Sequence, residues 1–515
     1  MAMKKYLLAC LSAGLFIVSC STSKNTVGGD DGRLTLQLMQ INDVYEIAPL
    51  NAGKEGGMAR VASLKKTYLR QNPNTLLVMA GDFVSPSVYN SLKYEGKSIR
   101  GRQMIESMNA AGVDLAVFGN HEFDIKEAEL QERINESKFE WISSNTFHNI
   151  KGRSLPFTRL EKNVDVPFPV TLVKTFTDAD GTTAKIGFIG LTLPFNKSAY
   201  VSYTDVFTTA RDLYNSLKDS VDAVVAITHQ SMEEDERLAR EVPGLAAIMG
   251  GHEHDQRYAQ VGRTIITKAM ANAKSAYIIS LTIVKWNHRI KVRTQLEPIN
   301  EMVAIDSSTN VVVQRWVNIA EKSYASLGFD AKKIVLREGE PLDGRESEIR
   351  SKSTNLTVKI VEAMAKAAPL AEIAILNAGS VRVDDVLNMP VTQYDIIRSL
   401  PFGGSIREVD MKGRLLNKIL DQGVKNKGIG GYLHSDSRLQ YDGDVKQWKL
   451  RNQVIDPEKS YRVAISDFLL TGGESNLDYL TPANKDILKV YDVVTAASDP
   501  RSDIRKAIIS YMENY

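Results

Sequence analysis

The sequence predicts an α/β layered fold with a largely parallel inner sheet, divided into two or more domains, and three observations carry this. The chain has 515 residues, more than one ordinary hydrophobic core accommodates. Apolar runs of strand length alternate with stretches of helical period, such as Met58, Val61, Leu64 and Tyr68, or Met104, Ile105, Met108 and Ala111. Several of the apolar runs end on polar side chains, as strands do where an open α/β sheet meets its ligand. Composition agrees with a globular body: 43% of residues are hydrophobic and 24% charged. With 64 basic against 62 acidic side chains and no long block of one sign, a nucleic-acid polymer or a polybasic membrane surface has no support as a partner. No partner protein is evident either.

Taken in order, residues 1–20, MAMKKYLLACLSAGLFIVSC, combine a basic start, an apolar stretch from Leu7 to Val18 and a closing cysteine, the order of an export signal. The stretch is shorter than the ~20 residues that span a bilayer. IVSC resembles a bacterial lipobox, so Cys20 is expected to carry lipid and to anchor an exported chain to the cell envelope, on its periplasmic or cell-surface side. A plainly secreted leader with an incidental Cys20 is the alternative. The other cysteine, Cys10, lies inside the leader, which leaves the body without a disulfide. Residues 21–32, rich in Ser, Gly and Asp, read as a flexible tether, with folded structure beginning near Arg33.

Five apolar runs then finish alike. LTLQLMQIND stops at Asp43, TLLVMAGD at Asp82, LAVFGNH at Asn120 and His121, VVAITH at His229, and LAAIMGGHEH at His252 and His254. Four of the seven histidines stand at these ends; His148, His288 and His434 have no such context and are read as surface or loop residues. Carboxylate, amide and imidazole donors together suit Mn, Zn, Co, Fe or Mg.

Between the halves, Val313, Trp316, Ala320, Tyr324 and Leu327 fall on one helical face that stops at Gly328, the pattern of a connecting helix within 306–330. Downstream, AILNAGSVR ends an apolar run in Asn377, Gly379 and Arg382. Small residues there let backbone N–H groups approach an anion while a guanidinium pairs with it. Phe402 in LPFGGS and Phe468 in SDFLLTGGES are each followed by a glycine pair that leaves room beside the ring.

The ordered set D…GD…GNHEFD…TH…GGHEH resembles the calcineurin-like metallophosphoesterases. NAGSVR, LPFGGSI and DFLLTGGES resemble the C-terminal domain of the bacterial and animal 5'-nucleotidases. The resemblance runs from about Leu34 almost to the C-terminus. It implies a metallophosphoesterase domain of β-sandwich type flanked by helices at 33–305, the connecting helix at 306–330, and an α/β substrate-binding domain at 331–515. It also implies two divalent metal ions, one on Asp43 and His254, the other on Asn120, His229 and His252, with Asp82 bridging. His121 would be general acid or transition-state donor, oriented by Asp124. Where the family usually places a histidine, this chain has Tyr45. Phenolate ligation, substitution by Glu46 or water, and simple packing of the ring all remain open. Arg350 would join Arg382 in holding phosphate, Phe402 and Phe468 would flank a nucleobase, and Glu474 stands where the family usually has Asp for the ribose hydroxyls. Asp467 replaces the Asn of an animal relative. The implied activity is release of phosphate from nucleoside 5'-monophosphates. Hydrolysis of UDP-sugars or 2',3'-cyclic nucleotides on the same scaffold, and nucleotide capture without turnover, are the alternatives.

Overall fold

The computed structural model describes residues 30–194 and 198–514, so the leader, Cys20 and most of the tether lie outside the described residues. Two six-stranded sheets build the N-terminal half. In the first, Arg33–Ile41, Thr75–Met79, Leu115–Ala116 and Glu140–Trp141 run parallel, and the antiparallel pair Ser275–Val284 and Arg289–Pro298 completes one edge. In the second, Thr183–Thr192, Ala223–His229, Ala247–Gly251 and Thr264–Lys268 run parallel, with Leu172–Thr177 and Arg257–Val261 antiparallel at the two edges. The inner strands are long enough in Val, Ile and Leu to be buried on both faces, as parallel strands must be.

The sheets pack face to face. Leu34, Leu36 and Leu38 meet Ile186, Phe188, Val225, Ile227 and Met249 in one cluster, the side chains alternating across each strand with period two. On the outer face of the second sheet, Val206 and Ala210 of Val206–Leu217 and Leu238 of Met232–Glu241 cover Ile189, Leu191, Ala226 and Ile248. On the outer face of the first, Met58–Gln71 and Arg102–Ala111 cover Met39, Ile41, Leu77 and Met79. The result is a helix–sheet–sheet–helix stack, which joins the parallel inner strands read from the sequence to the sandwich implied by resemblance.

The helix Ser307–Ser326 is capped by Asp306, whose carboxylate accepts the Thr309 N–H. Val313, Trp316, Ala320 and Tyr324 are buried along one face and belong to a core cluster that also contains Met39 and Ile41 from the N-terminal half and Ile396, Ile508 and Met512 from the C-terminal half. That half holds a five-stranded sheet ordered Leu433–Ser435, Ile373–Asn377, Ser460–Ser466, Ile406–Lys412, Ile487–Val490. Asn355–Ala367 and Ile504–Met512 pack together beside it.

One histidine departs from the sequence reading. His434 is neither a surface nor a loop residue: it pairs with Leu376 inside the sheet and is 1% exposed. Burial, offset only in part by the backbone of Ile349, pushes its pKa down to about 4. The unfolded chain therefore binds this proton more readily, so the stability contribution is intact above pH 6.5 and is lost as pH falls toward 4, by at most roughly 3 kcal/mol. His434→Leu should flatten the pH dependence of unfolding free energy between pH 6.5 and 4 relative to wild type. Urea titrations across that range measure it; parallel curves would assign the acid sensitivity elsewhere.

Candidate metal centre and substrate cleft

The carboxyl ends of the parallel strands from both sheets meet in one seam. The N–H of Asp43 bonds to the Gly81 carbonyl at 3.0 Å, and the N–H of His252 reaches Asp43 Oδ2 at 3.0 Å. Approach is so close that side chains are excluded beside the donors. A Cβ on Gly251 would fall 2.3 Å from the Ala80 oxygen, and one on Gly119 would fall 2.1 Å from Asp82 Oδ1. Three donors adopt left-handed backbone, Asp43 at φ 52°, Asp82 at φ 57° and His252 at φ 84°. Such positions cost about 1 kcal/mol or more each and concentrate at functional sites. Here they turn the chain out of the strand direction and swing each side chain into the seam.

Asp82 is the hub. One oxygen accepts the His121 N–H at 2.8 Å, and the other lies 3.1 Å from the Tyr45 hydroxyl and 3.0 Å from His229 Nε2. His229 Nε2 is also 3.8 Å from Asp43 Oδ1, while its Nδ1 is 2.8 Å from the Ala80 carbonyl. Burial opposes protonation of this ring, but Asp82 and Asp43 raise its pKa to about 9; with Nδ1 fixed as a donor to the carbonyl, Nε2 is the nitrogen that an ion would take in place of the second proton. Asp43, Asp82 and His229 each present a ligand atom within 4.8 Å of the others, and all three are buried. An oxygen, oxygen and nitrogen set of this kind fits a divalent cation. His252 lies edge-on to His229 at 5.5 Å between ring centroids, and Asn120 is fully buried at the neighbouring strand end.

Charge follows the geometry. Burial drives the Asp43 carboxyl upward against the pull of His229 and His254. At Asp82 burial is overcome by His229 and His121, which hold it well below the usual carboxylate range. Burial also opposes protonation of His121, but Asp82 and Asp124 prevail and raise it to about 9. Its Nδ1 is 2.6 Å from Asp124 Oδ2, so Asp124 fixes the ring through that nitrogen. Burial with the adjacent His229 pushes His252 down to about 3.

Of the openings left at Tyr45, one closes. Glu46 is turned away, its carboxylate accepting from the Tyr394 hydroxyl of the C-terminal half, because its buried charge needs a donor the seam does not offer. The Tyr45 hydroxyl stands inside the donor group, 3.2 Å from His254 Nε2. Burial and the charge of Asp82 push its pKa well above 10, and the hydroxyl donates to Asp82 Oδ2.

Across the cleft, Arg382 lines the same opening as Tyr45, Asn272 and Arg398. Its guanidinium sits 5.6 Å from the Phe402 ring centre. Arg350 pairs with Glu346 at 2.6 Å; burial first, and also the nearby charge of Arg382, disfavour its protonated form. Two guanidinium groups so placed form a setting for an anion. Phe402 is 66% and Phe468 44% exposed, which excludes both from the core. Their loops are tied by Asp467, which accepts the Ser405 N–H at 2.9 Å and the Ser405 hydroxyl at 3.0 Å.

Two expected roles change. The Gly379 N–H is donated to the Gly430 carbonyl at 2.7 Å, so it offers nothing to an anion; a Cβ at this position would make a tight contact with Gly430 at 3.2 Å. Glu474 is turned inward and accepts from Asn377 Nδ2 at 2.6 Å, since a side chain that is 8% exposed needs a buried donor.

Two further residues escaped the sequence reading. Glu122 is fully buried and accepts the N–H groups of Asp82, Phe83, Val84 and Gly119 at 3.0, 2.7, 3.0 and 2.6 Å, pinning the Asp82 turn against the Asn120 turn. Lys268, also fully buried, donates to the carbonyls of Gln230 at 2.5 Å and Gly251 at 2.8 Å and pairs with Asp235 at 3.1 Å. It fastens the His229 and His252 ends together. The run TIITK ending on Lys268 is a sixth polar strand end of the same kind.

Comparison with known proteins accords with this geometry. Residues 36–256 match the family model for calcineurin-like phosphoesterases, and residues 335–481 match that for the 5'-nucleotidase C-terminal domain. The chain is 25% identical over 506 residues to human 5'-nucleotidase, covering 86% of this chain and 84% of the human one. It is 25% identical over 516 residues to the trifunctional nucleotide phosphoesterase protein YfkN of Bacillus subtilis, covering 90% of this chain; it spans 33% of that longer relative. The fold is similar to the crystal structure of the 5'-nucleotidase precursor from Thermus thermophilus, with a TM-score of 0.66, 20% identity, and coverage of 93% and 96% of the two chains.

Glu122→Gln tests the pinning. Keeping the shape while replacing an acceptor oxygen by an NH2 group leaves buried N–H donors unmet, and the variant should lose on the order of 3 kcal/mol of stability. A shift in urea midpoint at unchanged slope measures this; no shift would assign the fixing of the turn to other contacts.

Proposed function

We propose, from the premise that the chain belongs to the calcineurin-like phosphoesterases carrying a 5'-nucleotidase C-terminal domain, that it is a dinuclear-metal hydrolase releasing phosphate from nucleoside 5'-monophosphates. The observation that carries this is that Arg382 lines one opening with Tyr45, whose hydroxyl bonds to Asp82 of the Asp43, Asp82 and His229 donor group, while the same guanidinium sits 5.6 Å from the exposed Phe402 ring. A phosphate ester with an aromatic base has a partner for each of its parts there. Export and lipid anchoring through Cys20 belong to the same reading, supported by the basic, apolar and small-residue order of the leader.

In this mechanism Asp43 and His254 would hold one ion, Asn120, His229 and His252 the other, and Asp82 both. Bound ions would supply Lewis acidity toward the phosphoryl oxygens and lower the pKa of water. The remaining work falls to the chain. Protonated at neutral pH and held by Asp124, His121 can donate from Nε2 to an oxygen of the ester as charge develops there. Arg382 and Arg350 restrain the phosphate or its neighbour. Phe402 and Phe468 flank the base, and stacking accepts any base, so tolerance toward the nucleobase follows. Placing the base costs the reacting centre nothing and fixes phosphorus over the seam.

Phosphate release from AMP, UMP, UDP-glucose, a 2',3'-cyclic nucleotide and a simple aryl phosphate, on stripped protein refilled with single metals, tests the assignment. Preference for the last three over AMP and UMP would overturn it, and capture of AMP without turnover would leave only binding.

Two variants sharpen the roles. His121→Ala should lower kcat roughly 10²–10⁴-fold, the range of a lost general acid, with metal content unchanged; metal loss matching that of Asp82→Ala would remove the proton-donor role. Phe402→Ala combined with Phe468→Ala should lower kcat/KM for AMP by about 10- to 100-fold while aryl phosphate hydrolysis stays within a few-fold of wild type. Equal loss on both substrates would mean the rings do not read the base.

A further inference from the structure

His254 is oriented from the other half of the molecule. Its Nε2 faces the seam, 3.6 Å from Asp43 Oδ1 and 3.2 Å from the Tyr45 hydroxyl. Its Nδ1 lies 2.7 Å from Asp384 Oδ2 and 3.3 Å from the Asp384 carbonyl. Asp384 sits two residues beyond Arg382, in left-handed backbone at φ 37°. Its second oxygen accepts the Glu346 N–H at 2.5 Å, so the carboxylate is itself held. The contrast with His229 is informative, because that ring takes its acceptor, the Ala80 carbonyl, from its own half of the chain. Lys274 donates to both oxygens of the next residue, Asp385, at 2.7 Å each, which fastens this segment to the N-terminal half immediately beside the seam.

A histidine that ligates a metal needs an acceptor on its other nitrogen to fix tautomer and ring rotation and to raise basicity, and losing that acceptor costs about 10- to 100-fold in metal affinity. We propose that Asp384 is the positioning residue for His254, so that the C-terminal half completes the surroundings of the ion at Asp43, Asp82 and His254. The proposal rests on the dinuclear reading above. Affinity at that one position then depends on the two halves being in contact as they are here, and by reciprocity the bound ion favours that contact. Arg382 and Asp384 share one short segment, so the residue that holds the imidazole lies two positions from the guanidinium that lines the opening beside Tyr45.

Calorimetric titration of the stripped full chain with Mn²⁺, without substrate, tests this. Wild type should take up two ions in two resolved steps. Asp384→Ala should weaken one step by about 10- to 100-fold and leave the other unchanged, and Asp384→Asn, whose amide oxygen still accepts the ring N–H, should recover part of the loss. Both stripped variants should remain folded at the titration temperature, with Asp384→Ala melting lower than wild type because the Glu346 N–H loses its acceptor. Unchanged affinities in Asp384→Ala, equal weakening of both steps, or no recovery in Asp384→Asn would each overturn the role of Asp384. A wild-type chain that binds no Mn²⁺ would instead overturn the dinuclear reading on which it stands.

Discussion

Everything in the catalytic half is arranged around two carboxylates that water does not reach. Asp43 and Asp82 are 0% and 1% exposed, and both crowd His229 Nε2. Like charges removed from solvent this closely are tolerated only with compensating cations and hydrogen bonds. The fold supplies them by converging the ends of two parallel sheets, so that imidazoles and backbone N–H groups arrive from several directions at once. Glycine at the closest approaches, left-handed backbone at the donors, and the buried Glu122 and Lys268 are consequences of that convergence. Each lets a strand end come nearer, or holds it once it is there.

The part of this that could be read from sequence is the part that is local. Strand period and the polar residue that ends a strand are set by neighbours in the chain, so Asp43, Asp82, Asn120, His229 and His252 could be singled out without a structure. The parallel inner strands followed from the same alternation, whereas the packing of two sheets face to face was implied only by resemblance. What could not be read depends on pairs distant in sequence. Glu122 stands in GNHEFD as one carboxylate among several, and only folding shows that its acceptors are satisfied 38 to 40 residues away. His434 lacks any local mark of burial, because the strand that encloses it comes from Ile373–Asn377. Gly379 was legible as a close approach, but the approach is to Gly430 and not to a ligand. Glu474 stands where resemblance implies a contact to the ribose hydroxyls, and its carboxylate accepts from Asn377, a partner 97 residues away.

The C-terminal half contributes less by shape than by placement. Its guanidinium groups, exposed rings and Asp384 are carried on loops at the ends of one sheet, and they acquire meaning only where they face the seam. Tyr45 belongs to this boundary as much as to the donor group. Its hydroxyl gives the Asp82 carboxylate a hydrogen bond and stands 3.2 Å from His254 Nε2, while His254 is held on its far side by Asp384.

The connecting helix has a consequence for how the molecule comes apart. Trp316, Ala320 and Tyr324 share one apolar cluster with residues from both halves, although each half also has a core of its own, Leu36 with Phe188 between the two sheets and Val409 with Leu416 in the C-terminal half. Unfolding either half would expose the helix face that the other also uses, and the loss would propagate. The two halves are thus joined by shared apolar packing as well as by the chain itself, and drawing them apart would uncover Trp316 and Tyr324, which are 0% and 2% exposed.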